Sequence, residues 1–189
     1  AVLLAMLLTW LLTAAVVVTL LMMPTLLQGL GVARADALSG NTLAVCAPVF
    51  AHIIAGLLAD RFGSGRVLAL WSLLLGGAVW WFYSQAQVGA YSPMLYLLAG
   101  FGVGLTALVP AIAVAGFPAQ VRFSGLSFAY NVAYAIAGGL TPVLLSLAIK
   151  DDPAAPIQYI VAMAALGVGL GVFVEWRDRP KTGVRVDFS

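Results

Sequence analysis

Residues 1–28 read AVLLAMLLTWLLTAAVVVTLLMMPTLLQ, and the first charged side chain, Arg34, comes only after them. At 1.5 Å per residue a helix over this run is about 42 Å long, enough to cross a hydrocarbon layer of about 30 Å. The run has no basic leader and no small-residue cleavage site, and it is too long for the apolar core of a signal peptide, so it reads as a mature membrane span. Because the chain does not begin with Met, it is expected to start inside a larger protein.

The rest of the chain follows the same pattern. It is 63% hydrophobic and 8% charged, with a mean hydropathy of +1.07, whereas soluble domains are about a quarter charged. A water-soluble fold is therefore excluded. The charges punctuate apolar runs: Arg34, then Asp60, Arg61 and Arg66, then Arg122, then Lys150 to Asp152, then a tail from Glu175. Between Val67 and Val121 there is room for two helices, and the polar stretch Ser84 to Pro93 marks a loop between them. Six helical spans result, near 1–29, 38–59, 67–85, 93–116, 124–149 and 157–175, with a cytoplasmic tail over 176–189. Helices are required because hydrocarbon offers no water to backbone groups.

Six spans put both ends on one side, together with the turns at 60–66 and 117–123. That side holds Arg61, Arg66, Arg122, Arg177, Arg179, Lys181 and Arg185, against Arg34 and Lys150 opposite. The excess makes it the cytoplasmic side. Trp80, Trp81, Tyr83 and Trp176 fall near the interfaces that amphipathic rings prefer, while Trp10 lies inside its span. The net charge of +2 reports topology and gives no support to nucleic-acid binding. The only cysteine, Cys46, sits in an apolar run and reads as a small packing residue.

Polar residues inside the spans are the functional candidates. In the fifth, Ser127, Asn131, Tyr134, Gly138 and Thr141 recur at spacings of three and four, on one helix face. Such a stripe either lines a solute cavity or hydrogen-bonds neighbouring helices. In the second span Asn41, Pro48 and His52 share a face, and His52 is the one ionisable group well inside any span, a candidate for handling solute or protons. The alternative is a neutral histidine bonded to a backbone carbonyl. The first span offers Thr9, Thr13, Pro24 and Gln28. Pro110 and Pro142 interrupt the fourth and fifth, as gates or static kinks. Gly100/Gly104 and Gly167/Gly171, four apart, read as close-packing positions. No ligand-like cluster points to a metal, no cofactor is implied, and no acid–base or nucleophile relay suggests an enzyme.

The turn Gly56-Leu-Leu-Ala-Asp60-Arg61-Phe-Gly63-Ser-Gly-Arg66 resembles the G-x-x-x-D-R-x-G motif of the major facilitator superfamily. The segment Phe117-Pro118-Ala-Gln-Val-Arg122-Phe-Ser-Gly125-Leu-Ser, with Tyr130-Asn131 and Gly138-Gly139-Leu140-Thr141-Pro142, is similar to the approach to the eleventh helix of its metabolite:proton symporter family. The resemblance aligns the chain with the C-terminal six helices, a 3+3 inverted repeat that lacks detectable sequence similarity between its triplets here. It implies proton-coupled symport of a small organic acid, amino-acid derivative or betaine by alternating access, with helices one, two, four and five lining the cavity. Asn131, Tyr134, Ser127, His52, Asn41 and Gln28 would contact solute. Gly56, Asp60, Arg61, Gly63 and Arg66 would form a conformational lock against the opposite half. Ser64 and Gly65 depart from the family, which commonly has basic residues there. The implied partners are the bilayer, a solute, protons, and an N-terminal six-helix half or a second copy of this chain. A non-transporting six-helix assembly subunit remains the alternative, and location in a bacterial cytoplasmic membrane is expected.

Overall fold

In a computed structural model, described for residues 1–178, the chain is six helices: α1 (Val2–Gly29), α2 (Arg34–Phe62), α3 (Ser64–Gln87), α4 (Pro93–Ala115), α5 (Arg122–Ala148) and α6 (Ala155–Asp178). Each is long and apolar enough to cross a membrane, and the chain is an integral membrane protein. Of the tail over 176–189, the first three residues continue α6; Arg179, Lys181 and Arg185 lie outside the described residues.

The helices overrun the apolar cores read from sequence, for local reasons. α2 has Asp36 in its first turn and Arg61 in its last, each opposite in sign to the helix-dipole charge it meets. α3 continues through Ser84 to Gln87, where the sequence suggested a loop, because glutamine is a good helix former and the chain turns only at Gly89, with φ +79°. α4 opens on Ser92, whose hydroxyl accepts from the Leu95 N–H, followed by Pro93. Asp152 performs the same service before α6, accepting from the Ala154 N–H at 2.8 Å and from the Gln158 amide at 2.7 Å.

In lipid no hydrophobic force distinguishes one helix neighbour from another, so small residues and buried hydrogen bonds decide the packing. α2 turns Ala37, Gly40, Ala44, Ala47, Ala51 and Ala55 inward, while Leu43, Val49, Phe50, Ile53 and Leu57 are exposed. Its small seam meets α4, and α5 lays Ala129, Ala133 and Ala137 on α1 in the same way. Backbone also approaches backbone closely between α3 and α6. A Cβ on Gly65 would lie 2.6 Å from both the Gly171 carbonyl oxygen and the Glu175 nitrogen. A basic residue at position 65 is therefore sterically excluded, which explains that departure from the family pattern.

Beyond the first turn, four prolines lie within helices, one each in α1, α2, α4 and α5, and none in α3 or α6. Each proline deprives the carbonyl four residues earlier of its donor, and in α1, α2 and α4 the response differs. In α1 the turn before Pro24 widens to a π-helix over Val17–Met22. In that register residue 24 would donate to the Thr19 carbonyl, and Pro24 cannot. The buried Tyr96 hydroxyl, 3.1 Å away on α4, donates instead. In α2 Pro48 frees the Ala44 carbonyl, against which Gly100 of α4 is pressed, with no room for a Cβ. In α4 Pro110 frees the Thr106 carbonyl, and the chain tightens to a 3-10 helix over Val103–Ala107.

Candidate functional site

α1 separates the two polar helices: α2 packs on α4, α3 and the second half of α1, and α5 packs mainly on α1. α2 and α5 are also the most exposed helices, with 28% and 22% of their apolar windows buried against 56% for α1, α3 and α4. The six predicted solute contacts therefore do not converge within this chain. Instead five are distributed over the open faces of α2 and α5 and Gln28 lies on α1, with His52 ten residues from the Asp60 end of α2 and Asn131 nine residues from the same end of α5. Both sit about 14 to 15 Å along their helices, a similar depth.

On α5 the predicted stripe divides. The residues buried against the bundle, Ala129, Ala133, Ala137, Thr141 and Leu145, recur every four positions, so the covered face rotates along the helix. Asn131 and Tyr134 stay open and Ser127 half-open, whereas Thr141 is buried. Thr141 Oγ1 lies 3.0 Å from the Tyr159 hydroxyl, which also accepts from the Trp10 indole at 2.9 Å. At Thr141 the stripe is thus a helix-to-helix hydrogen bond, and the unexplained Trp10 is part of the same chain. Asn131 donates to the Ser127 carbonyl at 2.8 Å and to its hydroxyl at 3.2 Å, and its own Oδ1 has no donor among the described residues. Tyr134 stacks on Tyr130, centroids 5.9 Å apart and planes at 12°. Beside it a groove of about 480 Å³ runs between Val17, Leu21 and Met22 of the widened turn and Gly138, Gly139 and Pro142.

On α2, Asn41 meets the Tyr96 hydroxyl. The Tyr96 hydroxyl has two acceptors in reach, Asn41 Oδ1 at 2.5 Å and the Thr19 carbonyl at 3.1 Å, and shares its one proton between them. His52 Nε2 lies 2.9 Å from Thr106 Oγ1, in the 3-10 turn of α4. The candidates of α1 do less: Thr9 and Thr13 are buried and bond the carbonyls four residues back at 2.8 Å, and Gln28 likewise bonds the Pro24 carbonyl at 3.0 Å from an exposed position. Thr19 Oγ1, in contrast, is buried with no partner among the described residues.

At the Asp60 end, Gly63 turns with φ +94°, a left-handed conformation natural to glycine. Arg66 pairs with Glu175 at 2.8 Å, and the Glu175 carboxylate lies beside Gly63. Asp60 and Arg61 are exposed, and a Cβ on Gly56 would meet nothing within 4 Å. The sequence missed Tyr96, Thr106, Tyr159 and Glu175. Thr106 alone was findable, as the residue four before Pro110. At the opposite end, burial and then the Asp36 carboxylate push the Tyr91 phenol above its usual range, leaving it a neutral donor to the Asp36 carbonyl.

Pro24 and Pro110 thus interrupt the first helix of each triplet. Known proteins resemble the chain. A citrate-proton symporter of Klebsiella pneumoniae is 33% identical over 138 residues, 69% of this chain and 31% of its own. A proline/betaine transporter of Salmonella typhimurium is 29% identical over 143 residues, 71% of this chain and 28% of its own. An inner membrane metabolite transport protein of Escherichia coli is 33% identical over 149 residues, 73% of this chain and 32% of its own. No family model and no solved structure matches. The chain spans about a third of the length of these curated relatives. With six apolar helices, the lock-like turn and these relatives together, the chain belongs to the major facilitator superfamily of transporters.

Proposed function

We propose that this chain acts as one six-helix half of a secondary transporter, the C-terminal one, moving a small polar solute with protons by alternating access. The observation that carries the reading is the placement of Asn41, His52, Ser127, Asn131 and Tyr134 on α2 and α5, the two helices left most open. A polar face in lipid is costly, and a second half would cover it and enclose water and solute between the two. The second half is an N-terminal six-helix unit, and the ends of the present unit face the cytoplasm, where the positive residues gather. Solutes named for the relatives, citrate, proline and betaine, define the first compounds to try.

In the same reading Asp60 engages the opposite half in one state only, since a contact shared by both states shifts no equilibrium. The open space at Gly56 supports this: nothing among the described residues requires a glycine there. Proton-dependent uptake by the full-length protein in membrane vesicles tests the assignment. Asn131→Ala and His52→Ala should each reduce uptake at unchanged expression, and unchanged uptake in both sinks the assigned site.

A further inference from the structure

The His52–Thr106 bond joins two features that the transport reading leaves separate: the one histidine in the chain and the break in α4. Pro110 cannot donate to the Thr106 carbonyl, so residues 103–107 tighten and present the Thr106 hydroxyl to α2. A threonine in a regular helix turns its hydroxyl back to the carbonyl four before it, as Thr9 and Thr13 do. Thr106 bonds an imidazole nitrogen instead. A hydroxyl can donate or accept, and so can Nε2, depending on its proton.

We propose that His52 and Thr106 together form a proton-binding site in which protonation reverses the direction of the bond that ties α2 to the break in α4. With His52 neutral, the proton resides on Nδ1 and Thr106 donates to the Nε2 lone pair. A proton arriving from the open face adds to Nε2, which then donates to Thr106 Oγ1. The hydroxyl hydrogen rotates toward a carbonyl of its own turn, where Thr9 and Thr13 place theirs. One proton is gained, no covalent bond other than N–H forms, and the freed hydroxyl competes for the 3-10 turn's carbonyls. Protonation thereby acts on the backbone at the Pro110 interruption.

Little else competes for the site electrostatically among the described residues. On α2 the charged groups are Arg34 and Asp36 at one end and Asp60 and Arg61 at the other, with Cys46 exposed between. α4 has no charged side chain, and its Tyr96 hydroxyl is engaged by Thr19 and Asn41. α3 contributes Arg66, held by Glu175, at one end and Tyr83, bonded to the Pro153 carbonyl, at the other. α1 contributes none.

The inference deepens the transport reading by naming where a proton binds, and it is tested without transport. Full-length protein labelled with 15N-histidine in lipid nanodiscs is titrated from pH 5 to 9 by NMR, the His52 signal being the one that disappears in His52→Gln. The expected result is a neutral form protonated on Nδ1 that titrates within this range. Thr106→Val should move the neutral proton predominantly to Nε2, and Thr106→Ser, which keeps the hydroxyl and controls for folding, should behave as the parent. An Nε2-protonated neutral form in the parent, no titration, or an unchanged tautomer in Thr106→Val overturns the proposal. Any of these outcomes leaves uptake free to succeed, and failed uptake leaves the titration readable, so the two readings fail separately.

Discussion

Tyr96→Phe removes one oxygen, and the structure says what that oxygen supports. The Thr19 carbonyl lies in the π-helical turn where Pro24 leaves it without a backbone donor, and both Thr19 and Tyr96 are 0% exposed. Loss of the hydroxyl strands a buried carbonyl, a cost of about 1 to 3 kcal/mol. The hydrogen bond to Asn41 disappears as well and adds about 0.6 kcal/mol, the average for such a bond between membrane helices. The carbonyl's share should vanish when the backbone donor is restored. In a Pro24→Ala background residue 24 has an N–H to offer Thr19, so the same Tyr96→Phe change should cost only about 0.6 kcal/mol. Stability is measured for the four proteins of this cycle by reversible unfolding in bicelles, giving a coupling of about 1 to 3 kcal/mol. An equal cost of Tyr96→Phe in both backgrounds refutes the idea that the tyrosine replaces the proline's missing N–H.

Other expectations follow from the same packing. Gly65→Ala forces a methyl group to within 2.6 Å of α6 backbone atoms, so it should destabilise the bundle by about 1 to 3 kcal/mol. Arg66→Gln, whose side chain is 61% exposed in its pair with Glu175, should cost less than about 1 kcal/mol. A thermal-unfolding series that reverses this order would show that charge, not backbone packing, fastens α3 to α6. Trp10→Phe and Thr141→Val each remove a partner of Tyr159, and their combination in unfolding measurements should depart from additivity because they share that hydroxyl. Asn131→Ala alters an exposed residue bonded only within its own helix turn, so its stability should change by less than about 0.5 kcal/mol while uptake falls.

The six spans were legible in the sequence because the bilayer acts on every segment alone. A run such as residues 1–28 must be helical in hydrocarbon whatever it packs against, and charges can lie only at its ends. The turn at Asp60 to Arg66 was legible for a similar reason, since its glycine and charges act within a few residues. Tertiary structure decided the partners. Periodicity put Thr141 on the same face as Asn131, but the covered face of α5 rotates along α1, so one is buried against Tyr159 and the other is open. Proline positions announced broken carbonyls without saying what would satisfy them. That a tyrosine serves Thr19, a glycine admits Ala44, and a tightened turn brings Thr106 to His52 depends on groups 50 to 80 residues apart in the chain. A hydrogen bond across helices requires both atoms within about 3 Å, and one-dimensional spacing contains no such distance.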